Sequence, residues 1–219
     1  MKRRSKFVGS LVAAILLATT PDADAFRKSR TGQHDNSTLA EQQLDRLRYI
    51  MVPLLQVTNR RVPLNEIRVS IVDDPAINAA SAGNRRYYLT TGLLNLATDD
   101  QLRGVLAHEI AHEDLGHPAK AQVVGTGVGL GVALLEQLFP GSSALTPIAG
   151  TLISGSYTRP LELEADRHAV TLLQRAGYSR ETMTDTLAWL MRRNGNNGGG
   201  ILSTHPATSE RIQALRSLR

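Results

Sequence analysis

The chain has 219 residues, is 42% hydrophobic and carries a formal charge of +5, which suits one well-cored domain and is too mild a basic excess for a nucleic-acid surface. It contains no cysteine, which excludes disulfides, thiolate metal ligands, a cysteine nucleophile and a lipidated N-terminal cysteine. Any metal must be held by histidine and carboxylate.

Residues 1–25, "MKRRSKFVGSLVAAILLATTPDADA", combine a basic start, an apolar stretch from Phe7 to Ala18 and an A-x-A site at Ala23-Asp24-Ala25. This is the composition of a secretory signal peptide, and the apolar stretch is well short of the roughly 20 residues that span a bilayer. Export, with a periplasmic location, is therefore the expectation, and residues 26–219 are expected to form the mature domain. Losing the leader's four cations and two anions leaves a charge of +3.

Thr38 and Glu41 have capping-box spacing ahead of a helix carrying Leu39, Leu44, Leu47, Met51 and Leu55, with Pro53 expected to kink it. The alternating "IRVSIVD" from Ile67 predicts a strand, and "NAASAGNRRYYLTTGLL" predicts two short strands around a Gly83-Asn84 turn, closed by Gly92. Thr98 and Gln101 form a second capping box before Leu102, Val105, Leu106 and Ile110, predicting a helix that ends near Gly116 and Pro118.

The segment 118–158 is Gly-rich and apolar, but Glu136, Pro140 and Pro147 interrupt it. A helical cover packed near the active site is expected rather than a transmembrane pair, with peripheral membrane contact left open. A second long helix is expected from Pro160 to Gly177, and a third around "MTDTLAWLMRR". Residues 194–200 read as a flexible linker, and Ile212, Leu215 and Leu218 can dock a terminal helix.

Three of the six histidines fall in "GVLAHEIAHEDLGH". His108-Glu109-Ile110-Ala111-His112 is an HExxH pattern, which on a helix presents both imidazoles to one ion and sets the glutamate beside that ion's water. A catalytic zinc takes a third protein ligand. An elongated metzincin motif is excluded by Leu115 and Pro118. His117 lies about 140 degrees round the helix from His112, so it is read as a polar terminal residue facing the helix dipole. Glu136 is a rival without an acidic companion. Glu162 is favoured because Asp166 shares its helical face, so that one carboxylate can bind metal while the other orients a histidine. Glu164 points away and is expected to be solvated or salt-bridged.

HExxH, a distant E-x-x-A-D and a late "THP" together resemble zinc metallopeptidase family M48, the group of HtpX and the CAAX-prenyl endopeptidases. The layout resembles a periplasmic BepA- or LoiP-like member without an appended repeat scaffold. "NAASAGNRRYYLTTGLL" is also similar to a family segment, departing at Ala80, where an aromatic is usual, and at Asn84-Arg85, where glycine is common. The resemblance implies a gluzincin-type, mainly α-helical α+β fold around a small sheet. It further implies His108, His112 and Glu162 as ligands of one Zn2+ per chain, Glu109 as base and Asp166 as support. A substrate-binding edge strand at Asn78, Ala79, Ala80 and Ser81 is implied as well, working by β-augmentation. His205, in "STHP", is the candidate donor to the oxyanion; a helix-capping role and occupation of the metal's open position are the alternatives. Arg211 is the residue expected to position it.

The function expected is an exported zinc metalloendopeptidase acting on unfolded or misassembled cell-envelope proteins. The alternatives are a zinc-containing, chaperone-like binding module with little proteolysis, and an integral-membrane prenyl-protein protease. No nucleic-acid partner is expected, and the oligomeric state is not legible.

Overall fold

The structure, a computed structural model, describes residues 14–16, 39–118, 157–194, 200–206 and 209–218. The Thr38 cap, most of the Gly-rich segment including Glu136, the centre of the 194–200 linker and most of the leader lie outside these residues.

The elements in chain order are β1 (Ala14–Leu16), α1 (Leu39–Gln56), β2 (Arg68–Val72), β3 (Ala79–Ser81), β4 (Arg86–Thr90), α2 (Thr91–Leu96), α3 (Asp99–Asp114), α4 (Arg159–Arg175), α5 (Glu181–Asn194), α6 (Ile201–Thr204) and α7 (Ser209–Arg216). A 3-10 turn at Leu64–Glu66 precedes β2. The four strands form one sheet in the order β1-β2-β4-β3, with β2 and β4 parallel and the outer pairs antiparallel. The expected small sheet among helices is therefore present, and β3 is an edge. β1 falls inside the leader-like segment, so cleavage after Ala25 would remove it and leave β2 as the opposite edge.

Helix α3 is the axis of the fold. Its N-terminus carries the expected box, Thr98 accepting from the Gln101 backbone and Gln101 accepting from Thr98. Every residue from Leu102 to His112 is buried, because α1, α4, α5 and β3 pack around it. The pattern Leu102, Val105, Leu106, Ile110 marks only one of its buried faces. Pro53 lies within α1, where Leu47, Ile50, Met51 and Leu54 are fully buried. Gly177, at φ 82, ends α4 as expected.

Two local expectations need correction. Gly92 does not close a strand: β4 stops at Thr90, whose side chain accepts from the Leu93 backbone and caps α2. Gly92 sits inside that helix because a Cβ there would overlap the carbonyl oxygens of Pro75 and Ala76. The 83–85 turn is also wider than a Gly-Asn pair, since Gly83, Asn84 and Arg85 are all left-handed, at φ 73, 51 and 63. Arg85 takes that conformation where the resembling family often has glycine.

Candidate metal centre

The four-residue spacing on α3 stacks His108 above His112, their Nε2 atoms 3.0 Å apart. Helix α4 lies against α3 and brings Glu162, whose Oε1 is 3.2 Å from His112 Nε2 and whose Oε2 is 3.4 Å from His108 Nε2. The fourth member comes from the far end of the chain. His205 follows α6, and its Nδ1 lies 2.9 Å from Glu162 Oε1 and 3.3 Å from His108 Nε2. The α6 segment is tied down by Ile201 donating to Ile77 O at 3.0 Å and Tyr157 donating to Thr204 O at 3.2 Å. One donor atom from each of His108, His112, Glu162 and His205 falls within 4.8 Å of all the others, and all four residues are buried.

The donor set fits a divalent cation. Three imidazoles and a carboxylate, all buried, bring lone-pair atoms to one point, the composition of zinc sites. Burial works to lower the His108 pKa, but Glu162 and Asp166 outweigh it and push it up to about 9. His112 is held well below the ordinary histidine value by burial and by the neighbouring His108 charge. Glu162, although burial opposes ionisation, is held well below the usual carboxylate range by His205 and His108. The carboxylates around His108 thus favour a positive charge at this point, which a divalent cation would supply.

Asp166 stands behind His108, its Oδ1 3.0 Å from Nδ1. This is an ion-pair contact rather than a well-aligned hydrogen bond, as the His108 Nδ1 hydrogen-bonding direction is not satisfied. Arg211 reaches Asp166 by two bonds, Nε to Oδ2 at 2.7 Å and Nη2 to Oδ1 at 2.6 Å, and its Nη1 lies 2.6 Å from Glu162 Oε2. The guanidinium and His108 hold the Asp166 carboxyl below its usual range against the opposing effect of burial. Arg211 thus fixes the two carboxylates. It also reaches the residue after His205, its Nη1 donating to the Pro206 carbonyl at 2.9 Å.

Glu109 faces the sheet. Its Oε2 accepts from Ser81 N at 2.8 Å, while Oε1 is buried without a hydrogen bond and sits 3.5 Å from His205 Nε2. One turn on, Glu113 accepts from Ser81 Oγ at 2.8 Å and from Arg85 N at 3.0 Å. Two helix carboxylates thereby bolt β3 and its turn to α3. Because Asn78 O and Ala82 N bond to β4, alternation turns the backbone groups of Ala79 and Ser81 to the outer edge. No strand among the described residues pairs with that edge.

His108, Glu109, His112, Glu162, Asp166 and His205 are thus brought together, with Asn78, Ala79, Ala80 and Ser81 along the adjoining edge. One residue departs from expectation. His117 is fully buried rather than facing the dipole at a polar terminus, and its Nδ1 lies 2.9 Å from His112 Nδ1. The cause is Gly116, which at φ 70 ends the helix and turns the chain back, so the helical wheel no longer applies. Glu164 is paired with His117 at 3.3 Å. Tyr157 has no counterpart in the sequence reading: it stacks on His112 with centroids 3.9 Å apart and planes at 25°. Its hydroxyl is buried without a partner, and its pKa is raised by burial and by Glu109, Glu162 and Glu113. Only its position after the Gly-rich segment and before Pro160 could have drawn attention to it.

A buried three-histidine, one-glutamate cluster with a free carboxylate oxygen beside it defines a metal-dependent hydrolase centre. The model of Peptidase family M48 matches residues 41–219, and the chain belongs to that family. It is similar to Metalloprotease YcaL of Escherichia coli (strain K12), with 24% identity over 218 residues, 95% of this chain and 85% of YcaL. It is also similar to Metalloprotease LoiP of the same organism, with 28% identity over 150 residues, 64% of this chain and 58% of LoiP. A Protease HtpX homolog of Burkholderia lata is 29% identical over 192 residues, covering 69% of this chain and 67% of the homolog. The protein is accordingly a metallopeptidase, a hydrolase with a metal-binding His/Glu group.

Proposed function

We propose that this chain is an exported zinc-dependent endopeptidase that hydrolyses peptide bonds in unfolded or misassembled cell-envelope proteins. The observation that carries the reading is the convergence of His108, His112 and Glu162 beside Glu109 Oε1 and the β3 edge. Export is supported by the leader-like composition of residues 1–25. No helix among the described residues is long and apolar enough to cross a membrane.

His108, His112 and Glu162 would hold one zinc, which when bound supplies a Lewis acid that acidifies water and polarises a carbonyl. Glu109 is the base: the Ser81 N–H fixes Oε2, so Oε1 takes the proton and later passes it to the leaving amine. The outward N–H and carbonyl of Ala79 and the carbonyl of Ser81 would pair with an extended substrate segment, the Ser81 N–H being held by Glu109. His205, whose Nε2 is 3.5 Å from Glu109 Oε1, is the donor we assign to the developing oxyanion. In the conformation described, however, His205 Nδ1 lies among the metal-facing atoms. It must swing out with residues 200–206 for a substrate carbonyl to reach that corner.

The deciding experiment measures zinc in the purified mature protein and in Glu162→Gln, together with chelator-sensitive cleavage of casein. About one zinc in the wild type, sharply reduced in the variant, with cleavage stopped by the chelator, is the expected result. Equal zinc in both proteins would remove Glu162 from the ligand set. Zinc without cleavage, persisting in His205→Ala, would favour the chaperone-like module.

A further inference from the structure

The two α3 histidines are supported from behind in different ways. His108 has Asp166 at its outer nitrogen, 3.0 Å away. His112 turns Nε2 into the cluster, which leaves Nδ1 as its outer nitrogen, and that atom meets a second imidazole, His117 Nδ1, at 2.9 Å. On its other side His117 Nε2 lies 3.3 Å from Glu164 Oε2, a carboxylate 46% exposed on α4. Among the described residues no carboxylate touches His112 Nδ1; the buried ring of His117 spans the gap between it and Glu164.

We propose that His117 is a positioning residue for the metal centre: neutral, with its proton on Nε2, it accepts the Nδ1–H of His112 and is itself held by Glu164. The proposal rests on the reading of His112 as a metal ligand through Nε2.

The direction of the chain follows from counting protons. Two ring nitrogens 2.9 Å apart hold one hydrogen between them, since two bare lone pairs repel and two N–H groups collide. A neutral imidazole has one donor and one acceptor nitrogen. If His112 gives its Nε2 lone pair to a metal, its proton is on Nδ1, so His117 Nδ1 must accept. His117 then carries its own proton on Nε2, facing the Glu164 carboxylate. The acceptor fixes the tautomer and ring plane of His112, and the distant negative charge makes its Nε2 a better donor, as a carboxylate–histidine pair does in a metal site. Tyr157, stacked on the His112 ring, restrains the same plane from its face. Gly116 is what makes the arrangement possible, because only its left-handed turn returns residue 117 to the site.

The test has two readouts. In zinc-loaded wild-type protein, nitrogen-15 imidazole spectra should show His112 as the Nδ1–H tautomer and His117 as the Nε2–H tautomer. By chelator competition, His117→Leu should bind zinc at least about tenfold more weakly, while His117→Gln, whose amide can accept and donate in the same places, should recover most of the loss. Glu164→Ala, at a half-exposed site that tolerates the change, should weaken zinc about threefold, since solvent screens its charge. If His117→Leu does not fold, the spectra and Glu164→Ala decide. His117 found as Nδ1–H or doubly protonated, or zinc affinity unchanged in folded His117→Leu or in Glu164→Ala, would overturn the proposal. Wild-type protein that binds no zinc would overturn the parent reading as well.

Discussion

The helix side and the strand side of the cleft are held by different forces. On the helix side, His108, Glu162, Asp166 and Arg211 form a dry, charged network in which every member faces an opposite charge. On the strand side, β3 and its turn contribute mainly backbone N–H groups and one hydroxyl, received by Glu109 and Glu113. A buried charge network is costly to form and more costly to break. Backbone donors give a weaker hold, and no strand among the described residues pairs with the outer edge of β3. The side that would bind metal is therefore rigid by necessity, and the side that would bind peptide is held by smaller increments.

The sharpest contrast comes from Glu109, which belongs to both sides. Glu109→Gln keeps an acceptor for Ser81 N but removes the base, so cleavage should fall by about 10²–10⁴. Zinc content and thermal midpoint should be unchanged. Loss of zinc in this variant would mean that Glu109 holds the ion and that the division of labour is wrong.

Next in size is Arg211→Met, which leaves Asp166 and Glu162 buried without their cation and should cost roughly 3–5 kcal/mol by chemical denaturation. Replacing Arg211 and Asp166 together with apolar residues should cost less than Arg211→Met alone, a result a sum of independent contacts would not give.

Acid should act on the helix side first. Asp166 is held below its usual range by Arg211 and His108, and Asp114 by His168 and the Asn59 and Arg60 backbone, in both cases against burial. A carboxylate lowered in the folded state contributes stability that is fully present above its unfolded value of about 3.9 and is lost as pH falls through the folded one. Metal-free protein should therefore lose stability steeply below about pH 4, and Asp114→Asn should flatten that fall. An unchanged slope in the variant would mean that Asp114 does not titrate differently on unfolding.

The same division explains what could be read from the sequence. His108, Glu109 and His112 were legible because helix geometry converts a spacing of four into a shared face, and Glu162 with Asp166 followed by the same rule one helix later. His205 was legible through family resemblance and not through spacing, since nothing local links it to α3. His117 was misread because a helical wheel was carried past Gly116, where the helix has ended. Tyr157 was not legible as part of this site, and Arg211 was legible only as a neighbour of His205 and not as a fork to Asp166, because each acts from a segment whose approach is set by packing alone. The α2 helix was missed for a related reason: a cap at Thr90 competes with the strand signal of the residues before it.

The smallest effects lie on the strand side and have opposite signs. Ser81→Ala removes the hydroxyl donor to Glu113 but leaves the Arg85 N–H in place. It should cost about 1.5 kcal/mol and raise KM for a peptide substrate while kcat holds, since the metal cluster is untouched. Arg85→Gly should do the reverse. Arg85 stands at φ 63, a conformation that costs a side-chain-bearing residue roughly 1 kcal/mol, and its ion pair with Glu66 is half-exposed and worth little. The backbone N–H that reaches Glu113 survives the change. The added freedom of glycine in the unfolded chain offsets part of the relief, so a net gain of about 0.5 kcal/mol is expected. A loss instead would show that the Arg85 side chain, and not only its backbone, holds the turn against α3.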